Sequence, residues 1–216
     1  MPKKKSPRSV NWAAEILPLI KLYKGRKHPL EYQNPYQLVV MVVLAAQDSD
    51  RHINSIAPDL FKAFPSIKDL AKAKPEEVFK YVETVRNFWN KTKWLISMAQ
   101  AVGEDKYIPR TMEDLTKLAG IGRKSANVIK RELGAPAEGI SVDLHVVRVA
   151  PRLGIASGTN AEKIEKTLMK VLPDKLWTEA GMAMSFLGRE TCRPTNPNCS
   201  ACVINKVCAY YKAMKK

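Results

Sequence analysis

Apolar positions recur at helical spacing along most of this chain, and cap residues punctuate them. Asn34-Pro35-Tyr36-Gln37 reads as an N-cap, a proline at the first helical position and a glutamine at N3. The apolar run Leu38 to Ala46 follows. Its β-branched content would also suit a buried strand, which periodicity alone does not exclude, and the start signals select a buried helix. Pro75-Glu76-Glu77 opens a helix predicted to reach Val85, and Thr111 caps a short one ending at Leu118. Gly122 to Leu133 predicts a helix stopped by Gly134, Asn160 to Pro173 another, and Leu176 to Leu187 a last one stopped by Gly188. No internal repeat, low-complexity tract or strand alternation breaks this pattern. The fold class it predicts is all-α.

Charge narrows the choice of partner. In 216 residues, 36 Lys and Arg stand against 21 Asp and Glu, a net charge of +15 and a pI near 9.7. Such a surface draws in a polyanion by long-range attraction. A membrane is the rival, but the longest apolar run, Leu38 to Ala46, is nine residues and too short to span a bilayer. The N-terminal Met1-Pro-Lys-Lys-Lys-Ser-Pro-Arg8 is basic without a following apolar region, so it reads as a phosphate-binding arm rather than a secretory signal. Nucleic acid is the partner these features favour, with no membrane association.

A glycine pair supplies a first candidate site. In Leu118-Ala119-Gly120-Ile121-Gly122-Arg123-Lys124-Ser125-Ala126, two glycines one residue apart let the backbone turn sharply between two helices. Amides there and at the start of the next helix would face a phosphate with the positive end of the helix dipole. An ordinary helix–turn–helix corner would use the same residues. Lys124 follows just inside the second helix; alone, such a lysine is a solvated surface charge. Asp143, nineteen residues on, is by itself a helix cap. Together they offer an amine nucleophile and a carboxylate, the pair that Schiff-base chemistry uses.

All four cysteines fall in one C-terminal stretch, Cys192, Cys199, Cys202 and Cys208, spaced C-x6-C-x2-C-x5-C. Thiolates this close in sequence converge on a metal at little loop-closure cost. Two disulfides are the alternative, and they suit a reducing compartment poorly. Zinc and iron–sulfur clusters both use thiolate-only sites, and the spacing by itself selects neither.

Three ordered motifs, Leu118 to Ile129, Val142 to Val149 and the cysteine array, resemble endonuclease III, a DNA glycosylase and abasic-site lyase of the helix-hairpin-helix superfamily. The resemblance runs from about Pro35 to Cys208. It implies a two-domain fold, with a six-helix barrel over residues 30–138 and an iron–sulfur domain from 1–29 plus 139–216. It implies a [4Fe–4S] cluster rather than zinc on Cys192, Cys199, Cys202 and Cys208. Lys124 matches the nucleophile and Asp143 the catalytic aspartate. Gln47 matches the glutamine that fills the gap left by a flipped base, and Asp50 an acid near the pocket. Phe88 stands near the family's apolar wedge, though a core aromatic beside Trp89 is an equal reading. Gly120, Ile121, Gly122 and Arg123 would hold the DNA backbone through the hairpin, and Arg193 would contact it from the cluster loop.

The implied activity is excision of oxidised pyrimidines, such as thymine glycol, from duplex DNA, with β-elimination 3′ of the abasic site. A monomer acting at the nucleoid in a bacterial or archaeal cytoplasm fits that implication. Four positions depart from the family: Ala119 replaces a proline, Leu144 a threonine, Asn87 a glycine, and Pro151 predicts a kink or early helix stop. Val43 stands where adenine-mismatch glycosylases carry a glutamate, and Lys124 argues against the monofunctional thymine-mismatch branch. Two alternatives remain open from sequence: a related glycosylase for mismatched or oxidised purines, and a non-catalytic, cluster-bearing DNA-binding protein.

Overall fold

The structure, a computed structural model, describes residues 10–215, so the basic arm Met1 to Arg8 lies outside the described residues. Two compact units divide the chain: one joins Met1–Arg26 to Gly139–Lys216, the other is Lys27–Glu138. The first begins with α1 (Trp12–Glu15) and α2 (Leu17–Tyr23). The second comprises α3 (Pro35–Leu44), α4 (Asp50–Ala63), α5 (Ile67–Lys72), α6 (Pro75–Val82), α7 (Phe88–Val102), α8 (Met112–Lys117) and α9 (Arg123–Glu132). The chain then returns to the first unit with α10 (Leu144–Leu153), α11 (Ala161–Val171), α12 (Trp177–Glu190) and α13 (Ala209–Met214). Among the described residues there is no strand, and no helix is long and apolar enough to cross a membrane.

Helix α3 is the spine of the Lys27–Glu138 unit. The Asn34 side chain accepts the Gln37 amide at 2.9 Å, and Pro35 starts the helix where a missing N–H does no harm. Every residue from Leu38 to Leu44 is buried, between α4, α7 and α9. That explains the run's lack of amphipathic spacing: α3 has no wet face. Each such aliphatic side chain contributes about 1.5–3 kcal/mol on burial. The carbonyls of Leu44, its last residue, and of Ala46 in the loop beyond accept bonds of 2.7 and 2.6 Å from the ammonium of Lys91, which is 2% exposed.

In the other unit α12 is the spine, lying against α10 and α2. Here one expectation fails: Gly188 does not stop α12, which continues to Glu190. The glycine serves packing. A Cβ at Gly188 would stand 2.7 Å from His145 Cβ, and one at Gly181 2.8 Å from Ser141 O, both too close for any side chain. Pro151 likewise brings no early stop. Helix α10 passes through it to Leu153, then ends on Gly154 in the left-handed conformation at φ 85°. The Gly154 amide still reaches Ala150 O at 3.2 Å, so the ladder survives the one missing donor. The predicted extension of α6 to Val85 is a turn instead, with Val85 N–H on Val82 O at 2.8 Å.

Candidate functional site

The hairpin is α8, a five-residue turn and α9. Thr111 caps α8 by accepting the Asp114 amide at 3.1 Å. Gly120 takes φ 80°, and a Cβ there would meet Val43 Cγ1 at 3.0 Å and Trp94 at 3.2 Å. Both conformation and space therefore require glycine at this position. Gly122, at φ −89°, has open space around it and caps α9 with no side chain to cover the helix N-terminus. Ile121 points inward, 4% exposed, and its amide donates to Leu118 O at 3.2 Å. Of the hairpin tip, then, Gly122 and the first turn of α9 face solvent. Glu138 braces this arrangement from behind: it accepts the Met112 amide at 3.1 Å and pairs with Lys130, which also donates to Arg110 O. The Lys130 ammonium, with the Met112 amide, holds the Glu138 carboxyl below the usual range. Arg123 donates to Glu138 O at 3.0 Å. Lys124, next along α9, is exposed.

The loops after α3 and before α7 carry the remaining candidates of this unit. Gln47 is exposed at φ 61°, and Asn87 caps α7 at φ 60°. Asn87 thus keeps the left-handed backbone that a glycine would give, which asparagine tolerates well. Asp50 opens α4, half-buried. Phe88 is half-buried at the edge of the core, edge-on to Phe79 at 5.8 Å. Its neighbour Trp89, also on Phe79, is 56% exposed.

Asp143 belongs to the other unit. It caps α10, with Oδ1 accepting the His145 and Val146 amides at 2.9 Å each. Oδ2 accepts the Ser185 hydroxyl at 2.6 Å, with Arg189 Nη2 at 3.9 Å. Capping and chemistry are therefore compatible roles: the amides fix one oxygen and leave the carboxylate able to face a developing positive charge. Leu144, beside it, is 70% exposed. Ser185 lies 42 residues from Asp143, beyond the reach of any local sequence signal.

All four cysteines carry free thiols, and together they line one small pocket with Leu153, Leu187 and Tyr210. Burial pushes the Cys199 and Cys202 thiols up, and neighbouring cysteines add to the effect. Arg152 ties the loop down: its guanidinium donates to Cys192 Sγ at 3.5 Å, Arg193 O at 2.8 Å and Pro194 O at 3.0 Å. Arg148 holds Cys192 O at 3.1 Å. Arg193 itself is exposed. Among the described residues no three His, Cys, Asp or Glu side chains are grouped to hold a single metal ion. Four thiols around one shared cavity do fit a polynuclear thiolate-bound group.

Residues 40–174 match the family model described as the HhH-GPD superfamily base excision DNA repair protein. The endonuclease III of Synechocystis sp. is 34% identical over 199 residues, 91% of each chain. The chain belongs to the endonuclease III family. It is accordingly a base excision repair enzyme, a DNA glycosylase with abasic-site lyase activity. The structure matches a non-covalent endonuclease III–DNA complex with a TM-score of 0.83 at 31% identity, over 96% of this chain and 100% of that one. It also matches a trapped endonuclease III–DNA covalent intermediate, an estranged-adenine complex, with a TM-score of 0.80 at 32% identity, over 92% and 94%.

Proposed function

We propose that this enzyme removes oxidised pyrimidines, such as thymine glycol, from duplex DNA and cuts the strand through a Schiff base on Lys124. The observation that carries the reading is an exposed amine at the opening of α9, behind a hairpin tip whose backbone is free to approach a phosphate. The damaged base leaves the stack first, as base-directed chemistry requires. Lys124 Nζ then forms a bond to the sugar C1′ as the C1′–N bond to the base breaks and the base departs with its electron pair and a proton. Asp143 stabilises the positive charge on the sugar, a transition-state effect of fixed opposite charge. The attached amine then loses a proton, its lone pair opens the C1′–O4′ bond as O4′ takes up a proton, and the iminium so formed acidifies the C2′ proton. Its loss to a base drives out the 3′ phosphate, and water releases the enzyme.

Gln47 fills the vacated space and Phe88 separates neighbouring bases, while Gly120, Gly122, Arg123 and Asp50 border the DNA path. Cys192, Cys199, Cys202 and Cys208 hold a [4Fe–4S] cluster. When bound, the cluster supplies iron–thiolate bonds that tie the loop and present Arg193 to the phosphates. A monomer on double-stranded DNA, at the nucleoid of a bacterial or archaeal cytoplasm, suffices for this activity. Lys124→Gln tests the reading. Strand scission at an abasic site falls by at least about 10³-fold, while duplex affinity stays within about twofold. Scission at the wild-type rate by that variant would overturn it.

A further inference from the structure

Two exposed loops in the Lys27–Glu138 unit are joined by side chains that the chemistry above leaves unused. Asp48 Oδ2 accepts the Arg86 amide at 3.0 Å, across 38 residues of sequence. Its Oδ1 meets His52 Nδ1 at 2.9 Å, and the other ring nitrogen, Nε2, meets Thr84 Oγ1 at 3.0 Å. Lys91, from the first turns of α7, donates to Leu44 O and Ala46 O at the start of the same loop. Gln47 precedes Asp48, and Asn87 follows Arg86. These two residues hold φ 61° and 60°, and among the described residues only Asn196 is another non-glycine residue at positive φ. A glutamine in this region is strained by about 1–2 kcal/mol, and persists where the surroundings over-determine it. The over-determination is visible here: each strained residue is flanked by a bond of the same network.

We propose that Asp48, His52, Thr84 and Lys91 are positioning residues that lock the Gln47 loop to the loop leading into Phe88, so that gap-filling and wedging act as one rigid edge. This rests on the reading of Gln47 and Phe88 as DNA-facing groups. Rigidity matters because both groups enter the stack at the same moment. Misplacing either one by about 1 Å loses much of the benefit of the other. Asp48 serves both loops directly, and Lys91 fixes the exit of α3 from which the first one springs.

Thr84 is exposed, so its replacement leaves the core intact. The test is single-turnover base excision from a duplex carrying one thymine glycol, beside β-elimination on a preformed abasic duplex. A 2-aminopurine next to the lesion reports unstacking. Thr84→Val and His52→Ala slow excision and the 2-aminopurine rise by about tenfold, Thr84→Ser restores both, and cleavage of the abasic duplex changes by less than about twofold. Equal losses on both substrates would overturn the proposal in favour of general damage to the fold. Wild-type behaviour of Thr84→Val and His52→Ala, with Gln47→Ala still impaired in excision, would overturn the locking and leave Gln47's role standing. Wild-type excision by Gln47→Ala and Phe88→Ala would remove the underlying reading and the proposal with it.

Discussion

The hairpin at residues 118–123 and the loop at 192–208 both present basic groups to solvent, and they are held in opposite ways. The hairpin is a product of packing. Ile121 is buried, Gly120 leaves no room for a Cβ beside Val43 and Trp94, and α9 lies against α3, whose Leu38–Leu44 run is buried. The cysteine loop places few apolar side chains inside, chiefly Ile204 and Cys208. Its order comes from directed polar bonds: Arg152 to Cys192, Arg193 and Pro194, and Asn205 Nδ2 to Cys199 O and Ser200 O at 3.2 and 3.0 Å. A packed element keeps its shape when one polar bond is lost. An element held by a handful of bonds around a cavity depends on whatever fills that cavity. The proposed nucleophile therefore sits beside the robust element, and the proposed cluster on the dependent one.

Emptying the cysteine site of the proposed cluster is the strongest way to separate the two. Cys202→Ser, or chelation of the cluster, is expected to open the loop to protease between Cys192 and Cys208. DNA affinity should weaken by about tenfold, and the salt slope should fall by roughly two as Arg193 and Lys206, both exposed on this loop, are lost to phosphates. Limited proteolysis and titrations at several salt concentrations would show this, with the hairpin uncut. Protease resistance and an unchanged slope in the iron-free protein would make the loop as self-sufficient as the hairpin.

A glycine pair probes the packed side. Gly120→Ala meets both a positive φ and contacts of 3.0 and 3.2 Å, so it should destabilise by about 2–3 kcal/mol in denaturant melts. Gly122→Ala meets neither and should stay within about 0.5 kcal/mol in stability. Equal effects would contradict packing as the source of the hairpin's shape.

The smallest expected effect is a dependence on pH. Burial raises the Asp48 carboxyl, but bonds from the Arg86 amide, His52 and the Ser49 amide outweigh it and hold the group below its ordinary 3.8. A depressed folded value means that the stabilisation is fully present above the unfolded value. It is lost as pH falls through the folded one. Melting temperatures of wild type and Asp48→Asn should therefore differ most well above the ordinary 3.8 and converge as pH falls through the lower folded value. A gap that held constant into acid would show that the Asp48 charge contributes nothing.

Much of the fold was legible because this chain writes its helix starts locally. Asn34, Thr111, Asn160 and Asp143 all cap the helices they precede, each by accepting an amide within its own first turn. Stops were harder to read. Gly134 and Gly154 end helices at positive φ, whereas Gly188 lies inside α12 and is glycine because α10 leaves no room for a Cβ. Contact with a distant helix decides between the two uses, and no local pattern carries it. The candidate site divides the same way. Lys124, Asp143 and the cysteines stand in motifs, while Ser185, Lys91 and the Asp48–His52–Thr84 chain reach partners 32 to 47 residues away.

Borohydride trapping on a duplex with a single thymine glycol, followed by mass mapping of the adduct, asks whether Lys124 is the nucleophile. A covalent protein–DNA species is expected with wild type, its mass added on the peptide bearing Lys124, and none with Lys124→Gln. An adduct mapped to another lysine, or one that survives in Lys124→Gln, would contradict it.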